Sequence, residues 1–137
     1  MKTLNYIKIL LLSIICIGFT SCEDDQDGIE SAIVGRFWTG DLGMSAENGE
    51  AIFSTFRFGI DGFGEEEQYY ELDGAFYQSY RFQWWWEDRY NRNMILDYGG
   101  KYDISYMDDI RVSGNQLWGR FFLEDGSRGF DFTLYME

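Results

Sequence analysis

The sequence predicts an all-β domain over residues 33–137, an antiparallel up-and-down barrel or half-barrel of about eight strands. Two observations carry that expectation. Six residue pairs suited to positive φ in tight turns punctuate the chain: Asn48-Gly49, Asp61-Gly62, Asp73-Gly74, Gly99-Gly100, Gly114-Asn115 and Asp125-Gly126. The stretches between them alternate with period two, as half-buried strands do, and none carries a convincing helical stripe.

Strands are expected at about 34–41, 51–60, 63–72, 75–86, 93–98, 102–112, 116–123 and 129–136. In the second, Phe56 and Phe58 alternate with Thr55 and Arg57. In the fourth, Tyr80, Phe82, Trp84 and Trp86 alternate with Arg81 and Gln83, and in the last, Phe130, Phe132 and Leu134 alternate with Asp131 and Thr133. The third admits two registers. A two-residue Asp61-Gly62 hairpin pairs Ile60 with Phe63 and turns Glu65 and Glu67 toward the face of Phe56 and Phe58, whereas a one-residue shift at Gly64 puts Glu66, Gln68 and Tyr70 there. Either way polar side chains point inward, as at a barrel mouth or on a polar floor for a ligand. Eight such strands can close into a barrel or stack as a two-layer sandwich. The meander of short turns favours the barrel, and closure removes edges that a chain without proline cannot block with one.

Ahead of this domain, Lys2 and Lys8 make a basic start, and an apolar run from Ile9 to Phe19 is too short to span a bilayer comfortably. Small Thr20 and Ser21 then precede Cys22. Residues 1–21 read as a signal peptide and the Cys22 thiol as the attachment point of a diacylglycerol. Residues 22–32 contain Glu23-Asp24-Asp25-Gln26-Asp27-Gly28, too poor in apolar groups to fold against a core, and read as a tether. Glu23, Asp25, Asp27 and Gly28 match part of a calcium-loop spacing. Val34 stands at the twelfth place, where a bidentate carboxylate is needed, so no metal is expected. Cleavage leaves 116 residues, enough for one core. Cys16 leaves with the leader and Cys22 carries lipid, so the domain has no disulfide and no free thiol.

The segment ending in Cys22 resembles a bacterial lipobox, with Phe19 where leucine is usual, and the acidic run behind it resembles the export signals of Bacteroidota-type surface lipoproteins. The domain resembles the lipocalin-like lipoproteins of that group. The resemblance rests on the opening Val34-Gly35-Arg36-Phe37-Trp38-Thr39-Gly40, on Phe56-Arg57-Phe58 turning at Asp61-Gly62, and on Phe82-Gln83-Trp84. Ile104-Ser105-Tyr106-Met107 and Leu117-Trp118-Gly119 complete it. It covers nearly all of residues 33–137 and implies an antiparallel barrel, lipid-anchored at the outer membrane and exposed at the cell surface. It brings no catalytic residue and no cofactor.

The net charge of −13 becomes −15 once Lys2 and Lys8 are removed, which makes a nucleic-acid partner untenable and disfavours adhesion to anionic lipid. Membrane contact is therefore expected through the acyl chain alone. There is no histidine, so Ser-His, Cys-His and imidazole-zinc chemistries are excluded. Glu65, Glu67, Glu87, Asp88, Asp108 and Asp109 remain as candidates for paired acid-base roles, but nothing in their spacing singles out two. No enzyme activity, cofactor or metal is expected.

Aromatic content is the strongest functional signal: 27 Phe, Tyr and Trp residues, with only Tyr6 and Phe19 in the leader. Tyr80, Trp84 and Trp86 are expected inside, either filling the barrel with Phe56, Phe58, Phe130 and Phe132 or lining a residual cavity. Trp85, Trp118 and Tyr135 are expected outside beside Gln83, Arg120 and Thr133, a pairing of flat rings and hydrogen-bonding groups suited to glycans and to protein partners. The expected function is a non-catalytic binding module for a small ligand or glycan. The alternative is an accessory subunit engaging another protein.

Overall fold

Residues 24–100 and 104–137 are described by the computed structural model, with side chains from Gly28 onward; residues 1–23, which include the segment read as a signal peptide and Cys22, and residues 101–103 lie outside the described residues. The elements are α1 (Asp24–Ile33), β1 (Phe37–Gly40), β2 (Ile52–Phe58), β3 (Phe63–Tyr70), β4 (Phe76–Asp88), β5 (Asn93–Asp97), β6 (Ile104–Ser113), β7 (Gln116–Phe122) and β8 (Phe130–Met136). The chain divides into two units after Ser31, and all eight strands belong to the second.

All eight expected strands form, each antiparallel to the next, and β8 returns to β1 to close an up-and-down barrel. Every predicted turn pair contributes a glycine at positive φ. The helix was not expected. Its acidic opening places negative charge at the end of a helix that favours it, and Gly35, at φ 74°, ends it in the left-handed position that a side chain resists. Part of the segment read as a tether is thus helical.

The register of the β2–β3 hairpin decides which carboxylates face inward. Phe58 pairs with Gly64, Phe56 with Glu66, Ser54 with Gln68 and Ile52 with Tyr70. The connection is a wide turn closed by Gly59 N–H donating to the Phe63 carbonyl at 2.7 Å, with Asp61-Gly62 at its apex and Asp61 Oδ1 accepting from Phe63 N–H at 3.1 Å. The two-residue hairpin that would pair Ile60 with Phe63 does not form. Glu65 and Glu67 therefore point outward, and Glu66 and Gln68 are buried.

The two ends of the barrel differ. At one end, Phe56, Phe58, Phe82 and Trp84 form a ring cluster with centroid separations of 5.6–6.4 Å. Backbone and indole bonds seal that end: Trp84 Nε1 donates to the Gly59 carbonyl and Trp38 Nε1 to the Ile33 carbonyl, both at 3.0 Å, and Gly35 N–H donates to the Phe58 carbonyl at 2.9 Å. A bulge between Asp108 and Arg111, with Asp109 at φ 51°, turns Ile110 into the same core. The bulge is accommodated by Gly119, where a Cβ would lie 2.6 Å from the Asp108 carbonyl oxygen. The opposite end carries the connections 41–51, 71–75 and 123–129, together with residues 98–100 after β5.

The β1–β8 seam is short, with Trp38 opposite Met136 and Thr39 opposite Tyr135. Glu137 N–H adds one bond to the Phe37 carbonyl at 3.1 Å. Gly40 lets the strands approach there, because a Cβ would collide with the Thr133 carbonyl.

Neighbouring tryptophans of β4 sit on opposite faces, Trp84 at 6% exposure and Trp85 at 42%, while Trp86 is half-buried. Trp84→Ala should lower stability by about 3–5 kcal/mol through loss of a buried ring, and Trp85→Ala by about 0.5 kcal/mol or less. Thermal melts of the two variants check this; equal losses would show that the assigned faces are wrong.

Candidate functional site

Barrel closure with only one end packed leaves space at the other. A cavity of about 360 Å³ opens there, with Glu66 of β3, Tyr80 of β4, Tyr98 after β5, Ser105 of β6 and Phe121 of β7 on its walls. Met44, Leu123 and Glu124 from the flanking loops border it. The 41–51 loop is tied down on its side of the mouth. Leu42 and Ala46 are buried, Ala46 N–H donates to the Glu50 carbonyl at 2.8 Å, and Ile52 N–H donates to the Met44 carbonyl at 3.2 Å.

Glu66 is the chemically distinctive wall residue. It is 4% exposed, and its Oε1 accepts from Ser54 Oγ at 2.8 Å and Gln68 Nε2 at 3.3 Å, while the Tyr98 hydroxyl also bonds to the carboxylate. Gln78 Nε2 donates to Gln68 Oε1 at 2.8 Å, fixing the orientation of that amide. These partners are neutral, and the described residues lining the cavity include no lysine or arginine. Burial pushes the Glu66 carboxyl above its ordinary range, with the bonds from Ser54, Tyr98 and Gln68 opposing the shift. Burial, followed by the adjacent Glu66, pushes the Tyr98 phenol well above its ordinary value.

The rings close to this carboxylate form a corner. Tyr80 and Tyr98 meet edge to face with centroids 6.0 Å apart, and Tyr98 leans on Phe82 at 5.3 Å. Ser105 Oγ donates to the Leu123 carbonyl at 3.0 Å, holding the start of the 123–129 loop against the mouth.

Of the six aromatic residues expected to bind, only Tyr80 lines the cavity, and it is 41% exposed at the mouth rather than sealed in the core. Trp84 belongs to the packed end, and Trp86 leans on it with centroids 6.4 Å apart. Trp85, Trp118 and Tyr135 do face outward but form no common platform. Trp85 continues across the sheet through Ile95 and Tyr106 to Phe122, while Trp118 lies two outward positions along β7 from Phe122, with Arg120 between them. Arg120 sits over the Phe122 ring at 5.8 Å. Tyr135 is diagonal to Trp118 on β8, far from Trp85. The sequence reading missed Tyr98, Ser105 and Phe121. Tyr98 was legible as the next inward position after Met94 and Leu96; Met44, in an irregular loop, left no signal.

The carboxylates weighed for acid-base chemistry are mostly engaged elsewhere. Glu65 lies between Arg57 at 3.6 Å and Arg81 at 3.8 Å, Asp109 pairs with Arg111 at 3.6 Å, and Asp88 accepts from Asn91 in its own turn. A shallow outer cleft of about 300 Å³ contains Glu87 and Asp108 together with Glu124 and Asp125. Burial and then Glu87 raise the Asp108 carboxyl. Glu87, Glu124 and Asp125 are solvent-exposed, so their charge is hydrated rather than focused on a reacting group. Among the described residues no cluster of acidic groups has the arrangement to hold a metal ion.

A glutamate whose folded carboxyl titrates above its unfolded value binds its proton more tightly in the folded state. Stability is then greatest below the ordinary glutamate range and falls as pH rises toward neutrality. Glu66→Gln should therefore raise the melting temperature at pH 7, by about 2–5 °C, with the gain shrinking toward pH 4. Melts across that range check it; a destabilised Glu66→Gln protein at pH 7 would mean that the ionised carboxylate supports the fold.

Comparison with protein-family models, curated proteins and solved structures returns no match.

Proposed function

We propose that this chain is a lipid-anchored surface lipoprotein of lipocalin-like type whose barrel is a non-catalytic binding module, taking a small ligand into the cavity at its open end. The observation that carries the reading is the division of the interior. One end is filled by aromatic packing, and the other holds about 360 Å³ of space with a buried carboxylate on its wall. Proteins bury a charge that weakens the fold where it has work to do, and a concave, mainly apolar space with a few converging polar groups is the usual form of a ligand site. The volume is at the small end of such sites. A protein partner is the second reading, supported by the outward row of Trp85, Ile95, Tyr106 and Phe122.

The neutral fluorophore N-phenyl-1-naphthylamine tests the cavity without reference to charge. It should bind the full-length chain saturably, with blue-shifted emission. Ser105→Trp, which places a ring in the cavity, should reduce the signal by about tenfold while the protein still melts cooperatively. Equal binding by the folded Ser105→Trp variant would place the probe elsewhere and remove the cavity reading.

The anchor rests on Cys22 and the apolar leader before it. Cys22→Ala should release the protein from the membrane fraction, since an acidic domain has little electrostatic hold on anionic lipid. Retention of the variant on membranes after a salt wash would refute the lipid anchor.

A further inference from the structure

We propose that the mouth cavity selects a small organic cation, a primary ammonium group on an apolar body, which sets its charge against the buried Glu66 carboxylate and its body against Tyr80, Tyr98 and Phe121. This inference rests on the reading of the cavity as a ligand site and goes further by naming the chemistry it accepts.

Glu66 supplies the first argument. A carboxylate at 4% exposure, satisfied among the described residues by neutral donors, keeps most of its desolvation penalty, and an ammonium group is the species that relieves it while also donating hydrogen bonds. The described cavity wall offers no such charge of its own. An anionic ligand would meet both Glu66 and Glu124, and a neutral one would leave the carboxylate uncompensated.

The rings supply the second. Tyr80 and Tyr98, perpendicular at 6.0 Å, present a face and an edge beside the carboxylate, and a cation held within about 6 Å of a ring centroid is attracted by the ring's quadrupole. Phe121, on the opposite wall, offers apolar surface to the rest of the ligand.

The third is the charge around the entrance. Loops 41–51, 71–75 and 123–129 carry seven carboxylates against a single basic residue, Arg128. Lys101 and Asp103, of opposite sign, lie outside the described residues. A rim of that sign concentrates cations and repels anions before any contact is made.

The test compares 2-phenylethylammonium, 2-phenylethanol and 3-phenylpropionate by calorimetry on the full-length chain. The ammonium ion should bind at least about tenfold more tightly than the alcohol, and the carboxylate should give no measurable heat. The preference should persist at about 0.5 M NaCl, where rim steering is screened but a buried pair is not. Glu66→Gln should cut ammonium affinity by about tenfold or more and leave the alcohol unchanged, with its thermal melt confirming the fold. Lys101→Met should leave ammonium binding intact. Equal affinity for ammonium and alcohol, or a preference that survives Glu66→Gln, would overturn the proposal. So would ammonium binding that emerges only in Lys101→Met, since the chain's own lysine would then neutralise Glu66. If N-phenyl-1-naphthylamine binds in the cavity and the ammonium preference is missing, the cation proposal alone fails; if neither ligand binds, the cavity reading fails with it.

Discussion

The hydrogen bond that closes the turn from Gly59 to Phe63 governs the character of the whole interior. By setting Phe58 opposite Gly64, it commits every second residue of β3 to one face, and side-chain period two leaves no intermediate solution. One step of slippage would exchange Glu66 and Gln68 for Glu65 and Glu67, breaking the contacts of Glu65 with Arg57 and Arg81 and putting two carboxylates inside. Gly64 permits this register for a steric reason as well, because a Cβ there would run into the Phe82 ring and the Arg57 carbonyl. The position of one turn thus links the aromatic cluster at one end to the polar wall at the other.

That linkage divides the molecule by task. Large rings occupy the sealed end, where Trp38 and Trp84 satisfy their indole N–H groups on backbone carbonyls. Toward the open end the inward positions become Ser54, Glu66, Gln68, Tyr80 and Ser105, of which the first three hydrogen-bond to one another and Ser105 to the Leu123 carbonyl. An eight-stranded barrel has little interior to share, so the dense end must hold the fold while the polar end departs from good packing.

Much of the architecture was legible because its signals are local. Alternation in Phe56-Arg57-Phe58 and Phe130-Asp131-Phe132, and a glycine in each turn pair, need no tertiary information to be read. The helix over Asp24–Ile33 was hidden because its apolar groups at helical spacing, Ile29, Ala32 and Ile33, are confined to its second half, behind an acidic run that reads as a tether. The register of β3 was undecidable, since both faces of Glu65-Glu66-Glu67-Gln68 are polar and hydrophobicity cannot choose between them. The site was legible in kind but not in membership. Tyr80 was identified, but the tryptophans that dominate the sequence belong to the packed end or the outer surface, and the rest of the wall around Tyr80 comes from Tyr98 just after β5 and from β6 and β7, which pairing alone brings into range.

The seam between β1 and β8 has a consequence for behaviour in concentrated solution. Only two residue pairs join these strands, whereas seven join β2 to β3, so separation of β1 from β8 is the least costly way for the closed sheet to become an open one. The opened molecule would present two complementary edges without proline to blunt them, and each fits the matching edge of a second copy as well as its own. Exchange of the four-residue β1 between two such copies would form a swapped dimer held by the same hydrogen bonds as the monomer, making protein concentration a determinant of its assembly state.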